Sequence, residues 1–177
     1  MSLGPKTLIE CMAAAGLPST LVKCLYIFLD LPPQENAESS QCRLRFQATF
    51  RNLLQRICLH HEAAEEIARK DALRYLFSAA ADWCPPHNKY WRHSTVAVLS
   101  TLAQNSISSV VIHYVHNSGC MAECLKNIKN RLLPCEAVDS FITLLHFLRE
   151  SSIISQTILD DFRENQGYLQ AGDFLLK

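Results

Sequence analysis

Apolar side chains recur at three- and four-residue steps along almost the whole chain. Leu21, Cys24, Leu25, Phe28 and Leu29 form one set, and Phe46, Phe50, Leu53, Leu54 and Ile57 another. The pattern returns in Leu73, Leu76, Phe77 and Ala80, in Thr95, Val98, Leu99 and Leu102, and in Val110, Val111, Tyr114 and Val115. Two further sets follow, Phe141, Leu144, Leu145 and Leu148, then Ile154, Ile158, Leu159 and Phe162. This spacing places one apolar stripe on each of a series of helices, whereas the alternation that marks a strand is rare. Punctuation agrees. Pro18-Ser19 opens a helix and Pro32-Pro33 closes it, Pro85-Pro86 separates two helices, Asn117-Ser118-Gly119 ends one and Pro134 starts another. The polar run Gln34 to Gln41 reads as an exposed loop.

The breaks between helices recur. Asp71, Gly119 and Gly167 are each 48 residues apart, and Gly16 precedes Asp71 by 55. A seven-residue insertion in the polar segment after Pro33 accounts for the difference. Each of these residues follows one helical stretch and precedes another, so each reads as a helix end, and Gly119 after Asn117-Ser118 suits a helix C-terminus in the left-handed region. The same offset sets Val110 over Ile158, Val111 over Leu159 and Tyr114 over Phe162. A period in the forties predicts an all-α armadillo- or HEAT-like solenoid of about three repeats of roughly 48 residues, occupying residues 1–177 as a single domain. Such arrays work through their surface.

The 17 basic and 17 acidic residues cancel. This excludes the basic excess that a nucleic-acid binder uses to neutralise phosphates, and also an acidic disordered tail. The eight cysteines sit mostly inside apolar helical patterns, as in Leu21-Val22-Lys23-Cys24-Leu25, and are expected to be reduced thiols of a cytoplasmic protein. Met1 to Gly16 carries Glu10 within its apolar run, which argues against a cleaved signal. Ser94 to Ala122 lacks Asp, Glu, Lys and Arg but is too polar for hydrocarbon, so it reads as a buried helix pair and no transmembrane segment is expected.

Candidate chemistry is sparse. His113, His116, Cys120 and Cys124 would share a face only on an unbroken helix, and Gly119 breaks it, so no metal is expected. Cys84-Pro85-Pro86-His87 puts a thiol near an imidazole without an oxyanion site. His60-His61-Glu62, with Glu65-Glu66, and the Asp160-Asp161 pair read as solvated helix faces. No glycine-rich phosphate loop occurs, no cofactor is expected and no catalytic residue is assigned. The alternatives to an interaction module are an enzyme using a Cys/His site and an anionic-membrane-surface binder using basic residues. Two features are candidates for a partner-facing or structural role: Trp83 and Trp91, which flank the double proline, and Arg45, Arg51 and Arg56, expected along one ridge.

Three stretches carry a resemblance. These are Pro18 to Tyr26 with Phe28, Asp30, Leu31 and Pro32; Trp83 to Pro86 with Asn88, Trp91 and Arg92; and Ser155-Gln156-Thr157 with Leu159 to Arg163 and Gln166-Gly167-Tyr168. Together they resemble the N-terminal region of the Alfy-like WD-repeat and FYVE-domain proteins of the BEACH family, from about Gly4 to Tyr168. The resemblance implies an armadillo-like, non-catalytic, protein-binding segment of a very large cytoplasmic scaffold in vesicle trafficking and selective autophagy. It also implies that membrane association belongs to modules not found in this sequence, so none of their sites transfers to a residue here. Met1 to Leu3 lies outside the match. After Gly167 only ten residues follow and they are apolar, with Leu169, Phe174, Leu175 and Leu176. The expectation is an uncapped end at which Ile153, Ile154, Ile158 and Phe162 lose part of their cover.

Overall fold

The computed structural model describes residues 5–33, 37–81, 84–130 and 134–176. Among these residues eleven α-helices and two short 3-10 turns make up the regular structure. The helices are α1 (Pro5–Ala14), α2 (Leu17–Ile27), α3 (Ala37–Ile57), α4 (His61–Arg69), α5 (Leu73–Ala81), α6 (Lys89–Asn105), α7 (Ser109–Asn117), α8 (Cys120–Asn130), α9 (Pro134–Ser152), α10 (Thr157–Glu164) and α11 (Gly167–Leu175). Among the described residues the fold is all-helical.

Four helix ends share one local geometry. Gly16, Asp71, Gly119 and Gln166 have φ of 72°, 55°, 62° and 59°. The N–H of each donates to the carbonyl three residues back, on Ala13, Ala68, His116 and Arg163, at 3.0–3.1 Å. At Asp71 the following N–H of Ala72 also closes onto Ile67 at 2.9 Å, which completes a Schellman motif. Glycine meets the left-handed requirement at no steric cost, and at Asp71 and Gln166 a polar residue tolerates it. The sequence places the fourth such residue at Gly167, and the structure corrects this by one. Gly167 is the first residue of α11 and is glycine for another reason. A Cβ there would lie 2.5 Å from three ring atoms of Phe162.

Each helix packs on the helix three further along the chain. α1, α4, α7 and α10 form one row, α2, α5, α8 and α11 a second, and α3, α6 and α9 a third. The apolar stripes converge between the rows, where Leu25, Leu54, Ile67, Leu73, Leu76, Trp91, Leu99, Leu102, Phe147 and Phe162 are fully buried. Polar contacts join neighbours within and between rows at nearly constant sequence separation. Glu66 accepts from the Ser19 N–H at 2.8 Å and from the Ser19 hydroxyl at 2.7 Å. Tyr114 donates to Asp71 at 2.6 Å, and His116 Nδ1 lies 2.8 Å from Asp161. In the third row Gln55 reaches Thr101 at 3.1 Å, Arg92 reaches Ser140 at 3.1 Å, and Ser100 meets Thr143 at 3.0 Å.

Several expectations change in this packing. Ala37 to Gln41 belong to α3 rather than to a loop, and residues 34–36 lie outside the described residues. Glu66 is buried and not solvated, because it serves the Ser19 N–H, which lacks an intrahelical partner in the first turn of α2. Asp161 is largely covered by its pairing with His116. Ile158 and Phe162 are fully buried, because α11 folds back over α10. Phe46 and Leu53, placed with the core by their spacing, are about half exposed on the edge of α3.

Candidate interaction surface

The double-proline corner is a clamp. Asn88, fully buried, donates from Nδ2 to the carbonyls of Leu29 at 2.7 Å and Leu31 at 2.8 Å. Its Oδ1 accepts from Arg43, and Arg43 also donates to the Pro32 carbonyl at 2.7 Å. His87 Nε2 lies 2.9 Å from the Leu31 carbonyl and donates to it. The segment after α2 is therefore tied to the turn before α6 by side chains that replace missing backbone partners.

Trp91 sits behind this clamp, with its ring centroid 4.6 Å from Phe28 and 6.0 Å from both Phe46 and Phe50. It bridges α3 and α6 from the inside and is fully buried, so it offers nothing to a partner. Trp83 lies outside the described residues. The three arginines do not form one ridge. Arg45 and Arg56 are exposed on α3, whereas Arg51 turns toward α6 and stacks its guanidinium 5.7 Å from the Tyr90 ring centroid.

The reactive side chains are dispersed. Cys120 and Cys124 are buried on α8, while His113 and His116 are exposed on α7. His116 is engaged by Asp161, and His113 meets Asn117 at 2.9 Å. Among the described residues no three His, Cys, Asp or Glu side chains converge as a metal-holding group. Cys84 is buried, and the ring of His87 is occupied by the Leu31 carbonyl. Burial pushes the Cys58 thiol up to about 12, and burial with nearby Glu123 does the same for Cys120. This is the reverse of the activation that a nucleophilic thiol needs. A cleft at the other end of the molecule is lined by Glu10, His61, Glu62, Glu65, Arg69 and Lys70. Within it Arg69 pairs with Glu65 and His61 lies beside Glu62.

Several exposed apolar residues gather at the C-terminal end of the described residues. Ile153, Leu169, Leu175 and Leu176 are exposed there, as the sequence leads one to expect, while Phe174 stacks on Phe141 at 5.8 Å. A groove of about 300 Å³ runs between α9, α10 and α11, lined by Leu145, Leu148, Leu159, Phe162, Tyr168 and Ala171. Beside it Val138, Ile142 and Leu145 are exposed along α9. Sequence spacing assigns Leu145 to the core. The signal for the outer stripe was the broad apolar arc of α9, wider than one buried face requires.

No single described helix is long and apolar enough to cross a membrane. The pair 7–14 and 17–30 passes on composition but is bent by 67°, and Val22 and Leu25 of that pair are buried in the core. No family model matches the chain, and no solved structure matches it. Curated relatives do, among them one from mouse and one from human. The chain is 27% identical over 157 residues to the mouse protein and 26% identical over 160 residues to the human one, covering 87% and 89% of its own length. It spans about 5% of the length of each. The resemblance carried by the three sequence stretches thus has its counterpart: over nearly all its length this chain is similar to a short segment of WD repeat- and FYVE domain-containing protein 4 of mouse and human.

Proposed function

We propose that the chain is an armadillo- or HEAT-like solenoid segment of a large cytoplasmic scaffold of the BEACH type, and that it binds proteins rather than catalysing a reaction. The observation that carries this reading is the packing of every helix on the helix three further along. Rows of this kind expose long faces and enclose no central cleft, which suits an extended docking platform. The raised thiols of Cys58 and Cys120 and the engaged ring of His87 support a non-catalytic role. The likeness to the WD repeat- and FYVE domain-containing relatives supports, as part of this proposal, a place in vesicle trafficking and selective autophagy. In that role the segment contributes protein contacts, and membrane attachment falls to other parts of the scaffold.

The test has two arms. Immobilised chain is exposed to cytosol, and retained proteins are cross-linked and mapped to its surface. The chain is also overproduced in cells while autophagic flux is measured. The reading expects saturable retention that a surface substitution abolishes, together with reduced flux by competition with the intact scaffold. Retention no greater than that of heat-denatured chain sinks it. So does turnover that Cys84→Ala removes, or binding confined to anionic vesicles and lost in high salt.

A further inference from the structure

Charge is unevenly shared among the helix rows. α3 beyond its first turn and the whole of α6 contain no Asp or Glu, yet they carry Arg43, Arg45, Arg51, Arg56, Lys89 and Arg92. In a chain of zero net charge this leaves the neighbouring helices α3 and α6 locally basic. Elsewhere arginines are neutralised close by. Arg69 pairs with Glu65, Arg74 with Asp71, Arg149 with Glu150 and Arg163 with Asp160. The four arginines of α3 have no carboxylate within four residues in sequence, and none of them forms an ion pair among the described residues. Arg43 is held in the clamp by Asn88 and the Pro32 carbonyl. Arg45 and Arg56 are exposed, and their eleven-residue separation is close to three helical turns, so they stand on one side of α3 about 16 Å apart. Thr49 and Asn52 lie between them on that side and are exposed as well. The opposite side buries Gln47, Phe50, Leu54 and Ile57, so the stripe faces out of the fold and is not an edge at which a row stops. Arg51 borders it on the α6 side, with its guanidinium over Tyr90 and its Nε buried without a hydrogen-bond partner. Glu38 lies two turns before Arg45, in the first turn, at the positive end of the helix dipole.

We infer that this stripe binds an extended acidic segment of a partner protein, which sets one carboxylate on Arg45 and a second on Arg56. The inference deepens the protein-binding reading above and rests on it. Charge complementarity selects the chemistry. Each exposed guanidinium lacks a carboxylate of its own and presents its N–H donors as a planar fork that matches one. Spacing selects the shape. A gap of about 16 Å is crossed by roughly five residues of extended chain, and the Thr49 hydroxyl and Asn52 amide lie beneath its backbone. A single phosphate group cannot reach both arginines. A membrane surface is a poorer match, because the positions between the arginines are polar and supply nothing to insert into hydrocarbon. The half-exposed Phe46 lies to one side of the stripe, packed on Phe28. Nucleic acid would meet two outward charges where it needs a track of them.

The probe is a display library of roughly 12-residue peptides, with two glutamates fixed about five residues apart and the other positions varied. It is panned against the folded chain at low salt. The expected binders weaken about fivefold or more against Arg45→Glu and separately against Arg56→Glu, and they weaken with added salt. Lys126→Glu, on the exposed side of α8, should leave their affinity nearly unchanged. Exchanging one peptide glutamate for lysine should restore binding to one reversal variant and not to the other, which assigns each contact. Circular dichroism with thermal melting checks that the variants stay folded, and Arg45→Gln and Arg56→Gln replace any reversal that does not. A library that yields no binder overturns the proposal. So do binders indifferent to both reversals, or equal binding of peptides whose two glutamates are adjacent. Anionic vesicles or an oligonucleotide bound through Arg45 and Arg56 more tightly than any selected peptide also overturn it and assign the stripe to that surface. Cytosolic proteins retained equally by the double reversal would remove this inference and leave the general protein-binding reading intact.

Discussion

Glu66 on α4 takes both the backbone N–H and the hydroxyl of Ser19, 47 residues earlier, and so closes the first turn of α2 from outside that helix. A carboxylate at a helix N-terminus meets unpaired N–H groups and the positive end of the helix dipole. Because the pair is buried, removing the carboxylate leaves the Ser19 N–H without an acceptor, while the hydroxyl keeps the Gly16 carbonyl at 3.1 Å. Glu66→Ala is expected to cost about 2–3 kcal/mol in urea unfolding, and Ser19→Ala less, because the N–H contact survives. Equal costs below about 0.5 kcal/mol would show that water replaces the carboxylate freely.

Two glycines five residues apart should respond in opposite directions. Gly167→Ala forces a methyl group against the buried Phe162 ring and is expected to destabilise by about 1–3 kcal/mol. Gly172 lies inside α11 with open space around the position of a Cβ. Gly172→Ala should stabilise by up to about 1 kcal/mol through helix propensity. Paired thermal melts test this, and a fall in Tm for both would contradict the packing of α11 over α10.

Trp91→Ala should cost about 3–5 kcal/mol, because the indole is fully buried among Phe28, Phe46 and Phe50. Phe46→Ala should cost much less, since that ring is half exposed at the edge of the cluster. The order of the two losses in chemical denaturation is the decisive reading.

The buried thiols make alkaline stability a sensitive probe. Cys58 and Cys120 titrate in the folded chain at about 12, against an ordinary value of 9.0. A group whose acid dissociation is suppressed by folding contributes in full below its unfolded value and loses that contribution as pH rises toward the folded value. Stability should therefore be flat with respect to these thiols up to about pH 8 and fall from about pH 9 toward 12. Cys58→Ala should flatten part of that fall. At pH 8 iodoacetamide should label the exposed Cys11 and Cys42 quickly and Cys58 and Cys120 only on unfolding. Rapid labelling of Cys58 in the folded chain would contradict its burial.

Much of the architecture was legible because helix stripes and helix ends are local. Gly119 is named correctly as a left-handed position, and the 48-residue step finds Asp71 as a helix end, where the backbone is left-handed too. Gln166 was missed because Gly167 beside it looked like the better candidate, and only the approach of the Phe162 ring shows what that glycine is for. The partners of Glu66 and Asp161 were invisible for a related reason. A charged residue on an amphipathic helix looks solvated until a neighbour 45 or 47 residues away is brought against it. The Trp91 corner was identifiable from its double proline, but the role of Asn88 as the clamp depends on carbonyls of Leu29 and Leu31 that no spacing rule connects to it. On α9 the periodic pattern supports Leu145 as a core residue, and only the lateral register of the row separates its two apolar faces.

The sequence separation of the cross-helix hydrogen bonds also bears on how the chain acquires its shape. Apart from short ties such as Arg43–Pro32, they span 42 to 60 residues, from Gln104–His146 to Ser140–Ala80. A nascent chain leaving the ribosome can therefore satisfy each of them once about one more helix triplet has emerged, without waiting for its far end. Closing loops of that size repeatedly costs entropy in small instalments and avoids one large closure. Assembly then proceeds from the N-terminal side as a zipper, each helix closing onto the one three places earlier.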